Sequence, residues 1–549
     1  MRLRLALPLA AAVAATALAA PAPAAGFGSV TKIYVVPTRH AFLHVEVAHP
    51  TRDGQVVRAA SALTYSPYFG TLSTRLSDAA SWTREGFARV NADLIGTGKS
   101  GGCYDYGGKR ERESGYDLVE WIAKQPWSTG KVGMLGGSYD GTTAIQTASL
   151  RPPHLQTIIP MAAISRWYDY AYSGGIRYTV NNEDPSDEGF DTPAAFSYGL
   201  SQPPPTDPDQ PNYQERLVSA MTPCDETEHM QKGYAVNPDY DAFWVDRDYR
   251  RNAAQVRIPV LVGLNWGDWN VKQDTGYQYW RSLTGSRFKR LYAGTRWKGH
   301  GSPVTTDIRI AWMDHFLRGA RNGIDKMPPV TSQTSDSKGA LEFIAGPVPR
   351  TTPVTLYAQE GVAGEFGQAL LPSKPRGESP GVAYVPTGNG TESGALANPR
   401  AAGQQWAWFE SPVLKRDVRV FGTPTVRVWS TAQRTWLTYA VSVVDLDPAN
   451  PPTGGVTRGW LDSRYRRTLA KREPWKPGLN GLDVVAKPTD YVFRAGHRIG
   501  LLIMAEQLEW VTAKAYDDPA GGAGATVTID TNGRTFLTLP VVGNAAKLF

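Results

Sequence analysis

Residues 131–143, KVGMLGGSYDGTT, hold one serine, Ser138, in a turn crowded by Gly136, Gly137 and Gly141. The apolar run 132–135 ahead of it predicts a strand, and residues 142–150 after it predict a helix. A serine at such a strand-to-helix tip can act as a nucleophile. The strained turn projects its hydroxyl, small neighbours allow close packing, and the N–H of Tyr139 points to where an oxyanion would develop. The pattern departs from G-x-S-x-G, because Asp140 stands where the second glycine belongs and the glycine follows at 141. A glycine-rich turn with an incidental serine is the competing reading.

A serine nucleophile needs a base and an acid, which in the strand-helix folds with such an elbow follow it in chain order. The chain has eight histidines, and His300, His315 and His497 lie beyond Ser138 and a suitable acid. His315 falls within an amphipathic helical stretch and His497 within a β-rich region, both ordinary structural positions. His300 sits between Gly299 and Gly301, in a loop that follows the strand expected at 288–293, and is the base of choice. The strand expected at 259–264 runs into Asn265, Trp266, Gly267 and Asp268. Asp268 precedes His300 by one helix and one strand, so it can orient the imidazole and stabilise its charged form. A turn or helix-capping aspartate is the alternative role. Asp140 is a competing acid, but beside the nucleophile it is badly placed to reach the far nitrogen of the histidine.

Other chemistries fit poorly. The run Gly96–Ser100, GTGKS, lacks the first glycine of a phosphate-binding loop, since Asp93 stands at that position. His40, His44 and His49 have no nearby cysteine and lie in a strand-like stretch, so no metal site is expected and no cofactor is implied. The excess of basic over acidic residues is seven, and Arg2 and Arg4 supply two of it. So thin an excess gives no argument for nucleic acid, and none is expected as a partner.

The positioning elements follow from the patterning. With 549 residues, 41% apolar and rich in Trp and Tyr, the chain is globular and has several domains. Residues 1–25 combine a basic start, an Ala/Leu run and small residues before 25, which predicts a secretory signal and an exported mature protein. No later run is long enough to span a bilayer, so no stable membrane association is expected. Export would let Cys103 and Cys224 form one bridge, with two buried thiols as the alternative. From about 31 to 320, short apolar runs at 32–36, 42–47, 56–63, 88–94, 132–135, 157–161, 259–264 and 288–293 alternate with helical patterns, as a mostly parallel sheet wrapped by helices requires. Residues 165–248 break this rhythm and read as an inserted helical cap. The expected fold is α/β: a catalytic domain over 26–326, then from 327 to 549 an all-β sandwich of jelly-roll type, marked off by Met327, Pro328 and Pro329.

These segments resemble the X-prolyl dipeptidyl aminopeptidases together with the cocaine esterase group of α/β-hydrolases. The resemblance runs through 127–134 and the G-x-S-Y-x-G that follows, 263–271, the helix at 312–319, and 456–460 with 495–498 in the β domain. It implies Ser138 as nucleophile, Asp268 as acid and His300 as base. Tyr68, in the stretch 65–68, would join the Tyr139 N–H as a second oxyanion donor, with a buried strand-end tyrosine as the plainer role.

The family contains peptidases and esterases, so a triad alone does not name the substrate. A dipeptidyl peptidase must hold a free α-ammonium and a proline. The cap offers Glu183, Asp184, Asp187 and Glu188 for the first, and Trp167, Tyr168, Phe243 and Trp244, with Trp266 from the acid's turn, for the second. A solvated acidic loop and core aromatics are the alternatives. The expected function is release of X-Pro dipeptides from peptide N-termini through an acyl-enzyme. An esterase or amide acylase acting on small acyl substrates is the second reading, and a non-catalytic binding protein would require a misassembled triad.

Overall fold

The computed structural model describes residues 27–69, 73–178, 238–294, 300–338, 342–361, 368–400, 405–434, 436–511 and 524–549. The expected signal, the acidic group Glu183, Asp184, Asp187 and Glu188, and Cys224 lie outside the described residues. Cys103 carries no free thiol and is disulfide-bonded.

The first part of the chain builds strands β1 (Gly28–Pro37), β2 (Phe42–Arg52), β3 (Gln55–Val56), β4 (Ala59–Ser66), β5 (Ala88–Asp93), β6 (Ser128–Gly137), β7 (Leu155–Met161), β8 (Tyr172–Ser173), β9 (Ile176–Arg177), β10 (Val260–Asn265), β11 (Lys289–Gly294), β12 (Val330–Ser332) and β13 (Ile344–Gly346). Apart from the small β8–β9 pair they form one sheet in the order β1-β2-β5-β4-β6-β7-β10-β11-β12-β13, with β3 on β2. From β5 through β12 neighbours run parallel. Helices Lys109–Ala123, Tyr139–Ser149, Gln273–Ser282 and Thr306–Met313 supply crossovers and cover. β4, β5 and β10 are buried along their whole length; β4 and β10 read as near-continuous apolar or small runs, while β5 also buries Arg89, Asn91 and Asp93.

The α/β sheet runs past the expected division at 327. β12 pairs in parallel with β11, and β13 pairs with β12, so the α/β sheet continues to Gly346. Met327, Pro328 and Pro329 stand just ahead of β12, outside its ladder with β13, and do not end the domain. The all-β domain begins with the strand Thr351–Glu360 and closes with Phe536–Val542. Its strands pair antiparallel except where Gln368–Leu371 meets Trp406–Glu410. Strand Phe536–Val542 alternates buried and half-buried residues, the period-two pattern of a sheet with one face on a core.

The GTGKS run is a tight loop fastened to the end of β5. Asp93 Oδ2 accepts the Lys99 N–H at 2.6 Å, and Ser100 Oγ donates to the Asp93 carbonyl at 2.8 Å. His40, His44 and His49 each take a separate partner, Glu113, Glu46 and Tyr34.

Candidate active site

Ligands of open parallel sheets bind beyond the C-terminal ends of the strands. Tyr68 follows β4, Ser138 follows β6, Asp268 follows β10 and His300 follows β11, so all four lie at that end.

Ser138 sits between β6 and the helix Tyr139–Ser149 with φ 59° and ψ −126°, a strained conformation for a residue with a side chain. Its N–H donates to the Met161 carbonyl at 2.9 Å, and its own carbonyl receives the Thr142 N–H at 3.0 Å. Both bonds lock the turn from the backbone. The helix then packs so closely that Gly141 has no room for a side chain: a Cβ there would lie 2.8 Å from the Gly136 carbonyl and 2.9 Å from the Met161 nitrogen. Glycine is thus needed at 141, one residue later than in G-x-S-x-G.

Tyr68 Oη donates to Ser138 Oγ at 3.0 Å and receives the Tyr139 N–H at 3.2 Å. The two expected oxyanion donors therefore meet at the serine. Burial, with the charge of Asp140 adding to it, pushes the Tyr68 phenol far above its ordinary range, so it keeps its proton.

Asp268 Oδ2 lies 3.0 Å from His300 Nδ1. Its other oxygen accepts the N–H groups of Asn270 and Val271 at 3.0 and 3.1 Å, which fixes the carboxylate. The Asp268 side chain is 3% exposed and that of His300 is 29% exposed, so the imidazole reaches solvent while its partner does not. Asp140 points elsewhere. It is buried against Ser66, and burial pushes its carboxyl up to about 7. His315 Nδ1 lies 2.8 Å from the Ala320 carbonyl, and His497 pairs with Asp445 in the β domain.

The sequence model of the X-Pro dipeptidyl-peptidase (S15 family) matches residues 41–299, and that of the X-Pro dipeptidyl-peptidase C-terminal non-catalytic domain matches residues 322–514. The chain belongs to the X-Pro dipeptidyl-peptidase S15 family. A Bacillus anthracis relative named "Putative Xaa-Pro dipeptidyl-peptidase" is 28% identical over 479 residues, covering 83% of this chain and 73% of its own. The Xaa-Pro dipeptidyl-peptidase of Lacticaseibacillus rhamnosus is 25% identical over 388 residues, covering 66% of this chain and 47% of its own. Among solved structures, an aminopeptidase from a marine sediment Thaumarchaeota archaeon superposes with a TM-score of 0.73 at 17% identity, covering 94% of this chain and 97% of that one. A CocE/NonD family hydrolase from Staphylococcus aureus gives 0.73 at 17% identity, covering 94% and 93%. The fold is that of the α/β-hydrolases with an appended all-β domain, and the chain is a hydrolase.

In this S15-family member four of the five aromatics expected to bind substrate are core residues, and the fifth, Phe243, is half-buried against them. Trp167, Tyr168, Trp244 and Trp266 are at most 4% exposed. Trp167 packs on Tyr106 and Tyr139 and donates its indole N–H to Tyr249, while Tyr168 stacks on Tyr172 and meets Trp244 edge-on. Trp266 donates to Ser332 Oγ. Composition marked them as aromatic, but only packing reveals that their faces are already used.

Three residues escaped the sequence reading. Tyr170, 7% exposed, lies within electrostatic reach of Tyr68 and Asp268. Ser66 Oγ accepts the Tyr68 N–H at 3.1 Å and hydrogen-bonds Asp140, tying the tyrosine to the elbow helix. Glu111, fully buried, accepts the Tyr139 hydroxyl at 3.0 Å, the Gly107 N–H at 2.8 Å and the Gln146 amide at 3.2 Å. A buried glutamate on an amphipathic helix carries no spacing signal that could have marked it. A separate cavity of about 640 Å³ is lined by Asp336, Asp445, Tyr491, Arg494 and His497 among others, and by none of Ser138, Asp268 and His300.

Proposed function

We propose that the protein is a secreted serine hydrolase that releases X-Pro dipeptides from peptide N-termini through an acyl-enzyme. The reading rests on one observation above all: Tyr68 hydroxyl and Tyr139 N–H converge on a strained Ser138 at the same end of the sheet that carries the Asp268–His300 pair. Ser138 Oγ attacks the carbonyl carbon of the proline, and His300 takes the hydroxyl proton. Negative charge gathers on the carbonyl oxygen, where Tyr68 and the Tyr139 N–H turn their donors from each other and from Oγ towards it. The C–N bond breaks as His300 passes its proton to the departing amine. Water, deprotonated by His300, then attacks the ester carbon, and the C–Oγ bond breaks as His300 returns that proton to Ser138 Oγ, which frees the dipeptide acid. Asp268 holds the imidazole and stabilises its charged form throughout.

The family supports the peptidase over other acyl transfers, since both family matches and the named relatives carry that activity in their names. Secretion is supported by the basic and Ala/Leu-rich start of the chain and by the disulfide-bonded state of Cys103, which persists in oxidising compartments.

The test compares hydrolysis of Gly-Pro-p-nitroanilide, its N-acetylated form and p-nitrophenyl butyrate by the purified mature chain, with Ser138→Ala as control. Cleavage of the free-amine peptide, blocked by acetylation and lost in the variant, is the expected result. Butyrate hydrolysis with neither peptide cleaved overturns the peptidase reading and leaves an esterase.

A further inference from the structure

The β domain meets the α/β domain at the turn that carries Asp268. Beyond this aspartate the chain runs through Trp269, Asn270, Val271 and Lys272 into the helix Gln273–Ser282. Trp269 leaves its own domain. Its ring packs with the β-domain cluster of Trp408, Trp460, Leu502 and Met504, meeting Trp460 edge-on at 6.2 Å and Trp510 at 5.1 Å. The Arg458 guanidinium lies over the same ring at 4.7 Å and over Trp510 at 4.4 Å. The Trp269 carbonyl is held from its own side, accepting the Tyr178 hydroxyl at 2.6 Å.

Arg458 is rigidly set. Glu392 takes its Nε and Nη2 at 2.7 and 2.5 Å and also accepts Ser442 Oγ at 2.5 Å. Gln507 donates to Ser442 Oγ and accepts the Trp460 indole N–H, both at 2.8 Å. These groups are buried, so the cation is fixed before any substrate arrives. The far end of the turn is gripped as well. Lys487 Nζ lies 2.8 Å from Asp274 Oδ2 and donates to Ser173 Oγ at 3.2 Å, with the lysine side chain 8% exposed. The two grips share one piece of backbone, because the Lys487 N–H donates to the Arg458 carbonyl at 2.8 Å.

We infer that the β domain serves the reaction as a clamp on the Asp268 turn, with Arg458 and Lys487 as positioning residues that keep the carboxylate aligned on His300. The inference rests on the roles given to Ser138, Asp268 and His300 under the proposed function. Neither cation touches the reacting atoms. Arg458 holds Trp269 of the turn and Lys487 holds Asp274 in the first turn of the helix that follows, on either side of the backbone N–H groups that orient Asp268. A carboxylate displaced by about 1 Å aligns the imidazole poorly, and errors of that size cost about 10²-fold in rate.

The experiment uses the full mature chain with Lys487→Met, Lys487→Arg, Asp274→Asn and Trp269→Leu. Ser138 labelling by a fluorophosphonate is timed across pH, kcat and KM are measured on whichever of Gly-Pro-p-nitroanilide and p-nitrophenyl butyrate the wild type cleaves, and thermal melting reports folding. Besides His300, the groups facing Asp268 are Lys272, Tyr170 and Tyr178, with Asp169, Asp274, Lys487 and Arg458 behind them, and each variant leaves the nearer three in place. The expected result for Lys487→Met and Trp269→Leu is a fall of about 10- to 100-fold in kcat and labelling, with KM nearly unchanged and the labelling pH midpoint displaced. Lys487→Arg restores most of the rate. Folded variants that label at the wild-type rate and pH midpoint overturn the clamp while leaving the proposed function intact. Should Lys487→Met not fold, Asp274→Asn removes the same grip from the other side, and wild-type labelling there overturns the inference equally. A wild type that is not labelled at Ser138 overturns the proposed function and the clamp with it.

Discussion

Tyr68 and Ser138 share a 3.0 Å hydrogen bond that links the C-terminal ends of adjacent parallel strands, β4 and β6. The same tyrosine oxygen accepts the Tyr139 N–H, so at rest the two donors satisfy each other and the nucleophile. Tyr68→Phe removes the hydroxyl and keeps the ring. It should lower kcat by about 10²–10³-fold with little change in KM, since the bond to an oxyanion forms only in the transition state. Steady-state kinetics decide this, and a kcat within a few-fold of wild type would remove Tyr68 from the oxyanion site.

The glycines of the elbow are not equivalent. A Cβ at Gly136 would fall 2.2 Å from Asp140 Cβ and one at Gly141 2.8 Å from a backbone carbonyl, whereas at Gly137 nothing lies within 4 Å. Gly136→Ala and Gly141→Ala should each cost about 1–3 kcal/mol, because backbone has to move. Gly137→Ala should melt close to wild type. Equal losses at all three positions in a denaturation series would show that the elbow tightness is not steric.

The α/β sheet was legible because its buried strands are apolar and its turns rich in glycine. The residues at strand ends were legible for a different reason. His300 stood out by elimination among few histidines, and Asp268 by its place one helix and one strand before. Tyr68 was reached only through family resemblance, since a tyrosine after a strand has no spacing signal of its own. Trp167, Tyr168, Trp244 and Trp266 misled because an aromatic side chain reads alike in a core and in a binding site. The division at 327 was drawn on Met327, Pro328 and Pro329, yet prolines precede a further strand of the same sheet as readily as a linker. The clamp was invisible: Arg458, Lys487 and Trp269 come together only when two domains pack.

Glu111 ties the elbow to the pH dependence of stability. Burial, with the Asp105 charge adding to it, pushes its carboxyl up to about 7 against the pull of its hydrogen bonds. In the unfolded chain it titrates near 4.3. Between those values the folded state holds the extra proton, so its contribution is complete at low pH and is lost as pH rises towards 7. Asp140 and Glu506, also pushed up to about 7, act in the same direction. Wild-type stability should therefore fall between pH 5 and 7.5, and Glu111→Gln should remove roughly 1–3 kcal/mol of that fall. Urea midpoints at the two pH values test this, and an unchanged difference would assign the slope to the other carboxyls.

Lys272 presents the opposite case. It is 1% exposed and holds φ at 67°, a costly conformation for a lysine, directly after the Asp268 turn. Its ammonium donates to the Tyr170 carbonyl at 3.0 Å and lies 3.6 Å from the centre of the Tyr178 ring. Burial, with the Lys487 charge adding to it, lowers its pKa to about 7 against the pull of Asp274, Asp169 and Asp268. The unfolded lysine keeps its proton to about 10.4, so between 7 and 10.4 the unfolded chain holds more protons and stability rises with pH. Below 7 the buried charge exerts its full cost. Lys272→Met, which keeps the length of the stem, should therefore gain more stability at pH 6 than at pH 9. A gain that is the same at both values, in urea denaturation of the full chain, would show that Lys272 stays protonated in the fold and that Tyr170 and Tyr178 hold its charge without loss.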